Sequence, residues 1–163
     1  MAVEFRCATA RGRGHARRLL DDAQRLLRAT GLTDCELSLT LTSDRAIRAL
    51  NRDWRGVDAA TDVLSFSQLE DSGATPSARR SPAGTLLGDV VISIDTALAQ
   101  AREAGVAPAS RLRRLLIHGF LHLLGYDHER SPADARRMFA RERALTARIE
   151  KSSSVKSQRK SLR

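Results

Sequence analysis

Three of the four histidines of this chain lie within eleven residues, in the segment HGFLHLLGYDH that spans residues 118–128. His118 and His122 are four residues apart, a spacing that places both imidazoles on one face of a helix, with their roots about 6 Å apart. Gly125 permits the left-handed turn that ends such a helix, so the chain can fold back and bring His128 to the other two. The segment therefore predicts a helix, a tight turn and a cluster of three imidazoles.

Three neutral imidazoles can occupy three corners of a zinc tetrahedron and leave the fourth open to water, which is typical of a catalytic zinc site. We therefore expect one zinc ion per chain, bound by His118, His122 and His128, with a bound water whose pKa is lowered toward ~7. Imidazole also binds nickel, copper and iron, so the spacing does not identify the metal. His15 lies among arginines in an earlier helical segment and is predicted to be a surface residue.

The histidine spacing also matches the zinc-peptidase pattern H-E-x-x-H-x-x-G-x-x-H everywhere except at the glutamate. In those peptidases the glutamate takes a proton from the metal-bound water, which Gly119 has no side chain to do. Asp127 could orient an imidazole, act as the base or cap the turn, and the sequence does not separate these roles. Asp62 and Asp89 are predicted at strand starts, where they could support the histidines or cap loops.

The rest of the chain predicts an α+β fold, because strands come early and helices come late in the order β-α-β-α-β-β-α-α-α. Apolar residues recur with a helical period in residues 15–30 and alternate strictly in residues 35–43, which predicts a half-buried strand. A continuous apolar run within residues 85–94 predicts a strand that is buried on both faces. Residues 67–84 are polar and predict a long loop, and the last helix is expected over residues 133–150. We expect one small mixed four-stranded sheet packed against helices, with a zincin-like three-histidine site.

The length of 163 residues suits one domain, which we expect to span residues 1–150. Residues 151–163 lack apolar periodicity and predict a basic, disordered tail. The net charge of +9 favours a polyanionic partner, although a solubilising surface would give the same composition. The tail contributes five of the positive charges and no acid, from Lys151, Lys156, Arg159, Lys160 and Arg163.

No apolar run approaches the ~18 residues of a membrane span, and the first residues lack the apolar core of a signal peptide. These features predict a cytoplasmic protein without a membrane partner. Cys7 and Cys35 form no cluster, and we expect them to be two reduced thiols in or near strands.

Three segments together resemble the YbeY family of rRNA maturation endoribonucleases. HGFLHLLGYDH resembles the family signature H-G-x-L-H-L-x-G-Y-D-H. LNRDWRGVDAATDVLSF, residues 50–66, resembles L-N-x-x-[YW]-R-x-x-D-x-P-T-D-V-L-S-F, with Ala60 where proline is common. LGDVVISIDTALAQA, residues 87–101, is similar to the segment before the family's histidine helix. The resemblance extends from about residue 37 to residue 140.

This resemblance implies a metal-dependent endoribonuclease that prefers single-stranded RNA. It implies action in 3′-end maturation of small-subunit rRNA and in ribosome quality control, with the ribosome or its small subunit as a partner. The three histidines match the family's zinc ligands, and Arg55 matches its functionally important arginine, so Arg55 and His118 are the catalytic candidates. A metal and a planar guanidinium suit the charge that develops on phosphoryl oxygens. Trp54, beside Arg55, is expected to be a core residue.

Two alternative functions stay open at this point. A metallopeptidase-like amide hydrolase fits the histidine set, but the glycine at position 119 and the basic charge oppose it. A ribosome-assembly binding protein with a structural metal fits the charge, whereas an open metal position would oppose it. The sequence does not predict the oligomeric state or the general base.

Overall fold

A computed structural model of the protein describes residues 3–69 and 84–161. The elements follow one another in the order β1 Val3–Cys7, a short 3-10 helix Ala10–Gly12, α1 Arg13–Ala29, β2 Glu36–Thr42, α2 Asp44–Arg55, β3 Val63–Ser67, β4 Leu86–Ser93, α3 Ile94–Ala104, α4 Pro108–Leu123 and α5 Pro132–Ser161. This order confirms the predicted α+β class. The predicted loop over residues 67–84 falls largely outside the described residues.

The four strands form one mixed sheet in the order β1-β2-β4-β3. β1, β2 and β4 are parallel, whereas β3 runs antiparallel to β4 at the edge of the sheet. β4 is an inner strand, and its residues 90–93 are all buried, as its continuous apolar run predicted. The mixed four-stranded sheet is therefore confirmed.

Helices pack on both faces of the sheet. On one face, Leu37, Leu39 and Leu41 of β2 are fully buried in the main core, to which α1, α4 and α5 contribute. On the other face, a smaller cluster joins Ile47 of α2 to Leu64 and Val91 of the sheet. The alternation of apolar and polar residues in β2 therefore determines which face of the sheet packs against α1, α4 and α5. The candidate site lies on that side of the sheet.

The last helix is longer than the sequence predicts. α5 continues to Ser161, so the expected end at residue 150 and the expected disorder of residues 151–161 are wrong. Residues 133–161 contain no glycine or proline, and extending a formed helix costs far less than starting one. Leu145 and Ile149 of α5 are buried and fix the helix to the core before the basic segment begins. The domain boundary at residue 150 stays a prediction.

Two simpler expectations can also be compared with the structure. Cys7 lies in β1 and Cys35 lies just before β2, and neither forms a disulfide within the described residues, as predicted. Within residues 3–69 and 84–161, no helix combines the length and the apolar character that crossing a membrane requires.

Candidate metal centre

The three histidines of residues 118–128 converge at the end of α4. His118 and His122 lie in the last turns of α4, and Gly125 follows with a φ of 91°, a left-handed conformation that reverses the chain. The ring centroids of His118 and His122 are 4.8 Å apart, and each lies 5.3 Å from that of His128. One ring nitrogen from each histidine lies within 4.8 Å of the other two. The predicted cluster of three imidazoles is therefore present.

A buried carboxylate orients the first histidine. Glu142 of α5 is 7% exposed, and its Oε1 lies 2.5 Å from His118 Nδ1. A carboxylate accepts a hydrogen bond, so the proton of His118 lies on Nδ1 and its Nε2 carries the free lone pair. That Nε2 lies 3.2 Å from Nε2 of His122, inside the cluster. The carboxylate therefore fixes the tautomer that directs a lone pair toward the other histidines.

The donor set fits a metal cation. His128 Nδ1 is buried and has no hydrogen-bond partner within the described part of the chain, which is costly unless another group satisfies it. Two Nε2 atoms at 3.2 Å would repel through their lone pairs unless a proton or a cation lies between them. The group that could hold a metal consists of His118, His122 and His128, and all three are partly buried.

The electrostatics favour the neutral form of the second histidine. Burial lowers the pKa of His122 below its ordinary value of 6.5, and the proximity of His118 and His128 lowers it further. Asp127 and a hydrogen bond with the Tyr126 backbone oppose this shift but are the smaller effects. A neutral imidazole is the form that binds a metal, so the environment prepares His122 for ligation.

Gly119 faces the sheet and not the histidines. A Cβ at this position would lie 2.9 Å from Val90 Cγ1 and 3.0 Å from both Ser65 Oγ and Val63 Cγ2. These distances are shorter than ordinary van der Waals contacts. At position 119, α4 therefore lies closer to β3 and β4 than a residue with a side chain would allow. The missing glutamate of the peptidase pattern is therefore explained by helix–sheet packing.

Two serines of β3 hold the histidine helix against the sheet. Ser65 Oγ donates a hydrogen bond to the carbonyl of Gly119 at 2.9 Å. Ser67 Oγ donates to the carbonyl of Leu123 at 3.0 Å, at the end of α4. Together these bonds fix the position of the helix turn that carries His122.

The three aspartates considered from the sequence lie outside the histidine group. Asp127 accepts a hydrogen bond from the Glu129 N–H at 2.8 Å, which is the turn-capping role. Asp62 precedes β3 and accepts from the Val63 N–H at 2.8 Å, so it caps that strand. Asp89 lies inside β4, beyond the strand start where it was expected. The carboxylate that contacts a histidine ring at hydrogen-bond distance is instead Glu142.

Arg55 forms no hydrogen bond with the three histidines among the residues that the structure describes. It is the last residue of α2, on the opposite face of the sheet from α4, and it is exposed. Its guanidinium forms no hydrogen bond or ion pair within residues 3–69 and 84–161. Trp54 is 73% exposed and meets Phe66 edge-on at 6.3 Å, so the expected core position of this tryptophan is wrong. His15 lies in α1, outside the cluster.

Sequence reasoning missed Glu142, although a signal for it exists. Met138, Leu145 and Ile149 form the buried stripe of α5, and Glu142 falls inside that stripe at helical spacing. A charged residue within an apolar stripe is seldom buried without a partner. That position could have indicated a buried carboxylate, but the sequence does not say which residue it meets.

The fold and the histidine cluster together define a class, α+β proteins with a three-histidine candidate metal centre on a helix that packs against a mixed sheet. The sequence model of the YbeY family, described as "Endoribonuclease YbeY", matches residues 6–150. The chain therefore belongs to the YbeY family.

Individual relatives agree with this family. The chain is 55% identical over 150 residues to "Endoribonuclease YbeY" of Anaeromyxobacter sp. (strain Fw109-5), covering 92% of this chain and 72% of the relative. It is 55% identical over 130 residues to the protein of the same name from Anaeromyxobacter dehalogenans (strain 2CP-C), covering 80% of this chain and 62% of that longer relative. The solution structure of TM1509 from Thermotoga maritima aligns with this chain at a TM-score of 0.65 and 23% sequence identity. The alignment covers 94% of this chain and 93% of that chain, which shows a shared fold.

Proposed function

We propose that this chain is a zinc-dependent endoribonuclease specific for single-stranded RNA. We infer that it acts in the cytoplasm on the 3′ end of small-subunit rRNA and takes part in ribosome quality control, with the ribosome or its small subunit as a partner. The observation that carries the proposal is the histidine cluster with its buried carboxylate, in a chain that belongs to the YbeY family.

His118, His122 and His128 would hold the metal. When bound, a zinc ion supplies positive charge for phosphoryl oxygens and lowers the pKa of a water molecule toward ~7. Glu142 holds the Nδ1 proton of His118, so this imidazole keeps its orientation while substrate charge changes nearby. Partial burial of the three rings limits competition from bulk water.

Arg55 is proposed to contact the substrate phosphate. Its side chain is exposed and has no carboxylate partner among the described residues, so binding a phosphate breaks no existing ion pair. A planar guanidinium can donate two parallel hydrogen bonds to phosphate oxygens, which adds geometric selection to the charge. Trp54, adjacent to Arg55, offers an exposed indole on which an unpaired base can stack. Stacking of this kind requires a single strand, which supports the proposed specificity.

The packing at position 119 argues further against the alternative of an amide hydrolase. The peptidase base would stand at position 119, where packing against Val90 and Ser65 leaves no room for a side chain. The alternative of a binding protein with a structural metal makes a distinct prediction, since a metal-loaded chain would then bind RNA and leave it intact.

The test is a cleavage assay on end-labelled single-stranded RNA from the 3′ end of small-subunit rRNA. Wild type, chelated wild type, His122→Ala and His15→Ala are compared, and the metal content of every sample is measured. His15→Ala is the matched control, because it removes a histidine outside the cluster. We expect cleavage and zinc to be lost together on chelation and in His122→Ala, and kept in His15→Ala. Equal cleavage in all samples would contradict the proposal, as would intact RNA with zinc-loaded wild type.

A further inference from the structure

A basic surface feature lies between α1 and α5, away from the histidines. The C-terminal part of α1 and the segment of α5 around Ile149 enclose a cavity of about 260 Å³ that opens to solvent. Four of the side chains that line it are cations, and in the described part of the chain none of the lining side chains is a carboxylate. We call this feature the basic groove, and its cations are Arg25, Arg28, Arg148 and Lys156.

Two of these cations already have partners in the structure. Arg25 Nη1 lies 2.9 Å from Asp22 Oδ1 in an ion pair within α1. Arg148 Nη1 donates a hydrogen bond to the carbonyl of Ala29 at 3.0 Å, at the C-terminal end of α1. This second contact offsets the partial negative charge of the helix end, which would otherwise repel an anion.

The other two cations are available to a ligand. Arg28 and Lys156 are both exposed, and neither forms an ion pair with any residue that the structure describes. The one carboxylate on α5 after Glu142 is Glu150, which lies 3.5 Å from the guanidinium of Arg113. The groove therefore carries positive charge that no neighbouring acid on α5 neutralises.

The groove and the histidine cluster lie at two points along α5. Glu142, which contacts His118, and Lys156, which lines the groove, are fourteen residues apart. This separation is nearly four turns and about 21 Å along the helix axis. Lys156 also lies beyond residues 6–150, the part that the family model matches. The groove therefore depends on a segment that the family match does not include.

We propose that the basic groove binds backbone phosphates of the same RNA strand that is cleaved at the histidine cluster. This inference rests on the proposed function for the identity of the strand. A positively charged groove that follows the backbone is the general way in which proteins bind single strands without reading sequence. A concave cationic groove suits a flexible chain of phosphates better than a flat lipid surface, which amphipathic helices bind with exposed apolar side chains.

The test compares two double variants of the full chain with equal loss of charge. Arg28→Gln/Lys156→Gln removes the two available cations of the groove. Arg45→Gln/Arg102→Gln is the control, because both arginines are exposed, lie outside the groove and form no ion pair with described residues. Binding of a fluorescent single-stranded RNA is measured by anisotropy over a range of salt concentrations.

We expect the groove variant to lose affinity on the order of 10- to 100-fold at about 50 mM salt. The slope of log affinity against log salt should become shallower by about 1.4, since each lost phosphate contact on a single strand contributes about 0.7. The control should keep the wild-type slope. An unchanged slope in the groove variant, or an equal change in the control, would overturn the proposal.

Cleavage separates this inference from the proposed function. On RNA of about 12 nucleotides the groove variant should show a raised KM, and on a trinucleotide it should match wild type. If the chain binds RNA through the groove but cleaves neither substrate, the endoribonuclease function fails while the groove stands as an RNA site. If the groove variant binds RNA as wild type does but no longer binds vesicles that contain phosphatidylserine, the groove binds a membrane surface and the proposal is overturned.

Discussion

Replacing Glu142 tests whether the buried carboxylate prepares the metal centre. Glu142→Gln keeps the size of the side chain and an oxygen that can accept the Nδ1 proton of His118, but it removes the negative charge. Glu142→Ala removes the acceptor altogether and leaves Nδ1 unpartnered. We therefore expect two graded losses of zinc affinity, the smaller for glutamine and the larger for alanine.

The magnitude follows from the contact. The Oε1–Nδ1 distance is 2.5 Å and Glu142 is 7% exposed, so solvent screens this interaction little. A hydrogen bond to a charged group contributes about 1.5–3 kcal/mol, and about 1.4 kcal/mol corresponds to a factor of ten in affinity. Zinc affinity should therefore fall about 10-fold in Glu142→Gln and about 100-fold in Glu142→Ala, within the range known for carboxylates that orient metal-binding histidines.

The assay is competition for zinc between each purified variant and a chromophoric chelator at neutral pH. Glu129→Gln is the matched control: Glu129 lies 4.0 Å from His128 Nε2, but its side chain is 82% exposed. Thermal unfolding of each metal-free variant shows whether the fold is retained, so that lost affinity is not mistaken for lost structure. Wild-type zinc affinity in Glu142→Ala, or an equal loss in Glu129→Gln, would refute the orienting role.

Three further predictions concern packing, protonation and the arginine. Gly119→Ala should lower the free energy of unfolding. Overpacking costs about 1–3 kcal/mol, whereas the higher helix propensity of alanine stabilises the helix by at most about 1 kcal/mol. An unchanged free energy of unfolding in urea would show that α4 can move away from the sheet. Zinc affinity should fall as the pH drops below the lowered pKa of His122 and should not depend on this residue above pH 6.5, because protonated imidazole cannot bind the metal. A calorimetric titration in which protonation of His122 already weakens zinc binding above pH 6.5 would contradict this. Arg55→Ala should keep zinc and lose cleavage, and retained cleavage would remove this arginine from the proposed mechanism.

Some features of this protein follow from short stretches of sequence. The alternation of Leu37, Leu39 and Leu41 identified a strand and its buried face, because a strand turns successive side chains to opposite sides. The histidine cluster could be predicted because two of its members share one helix face and the third follows the next turn. In both cases the interacting positions are close in the chain, so backbone periodicity alone brings them together.

Other features depend on contacts between distant segments. Glu142 meets His118 across 24 residues, and Ser65 meets Gly119 across 54, so both contacts depend on how α4 packs against α5 and β3. Trp54 was expected in the core and is exposed, because α2 turns its buried face toward Leu64 and Val91 without covering the indole.

The sequence by itself therefore determined the secondary-structure order, the sheet and the three imidazoles. Only the tertiary structure decided which carboxylate orients His118 and why position 119 must be glycine. It also brought Arg28 and Lys156 to one groove. The physical reason is that hydrophobic periodicity specifies which face of an element is buried, whereas the partner of a buried polar group depends on where two separately formed elements meet.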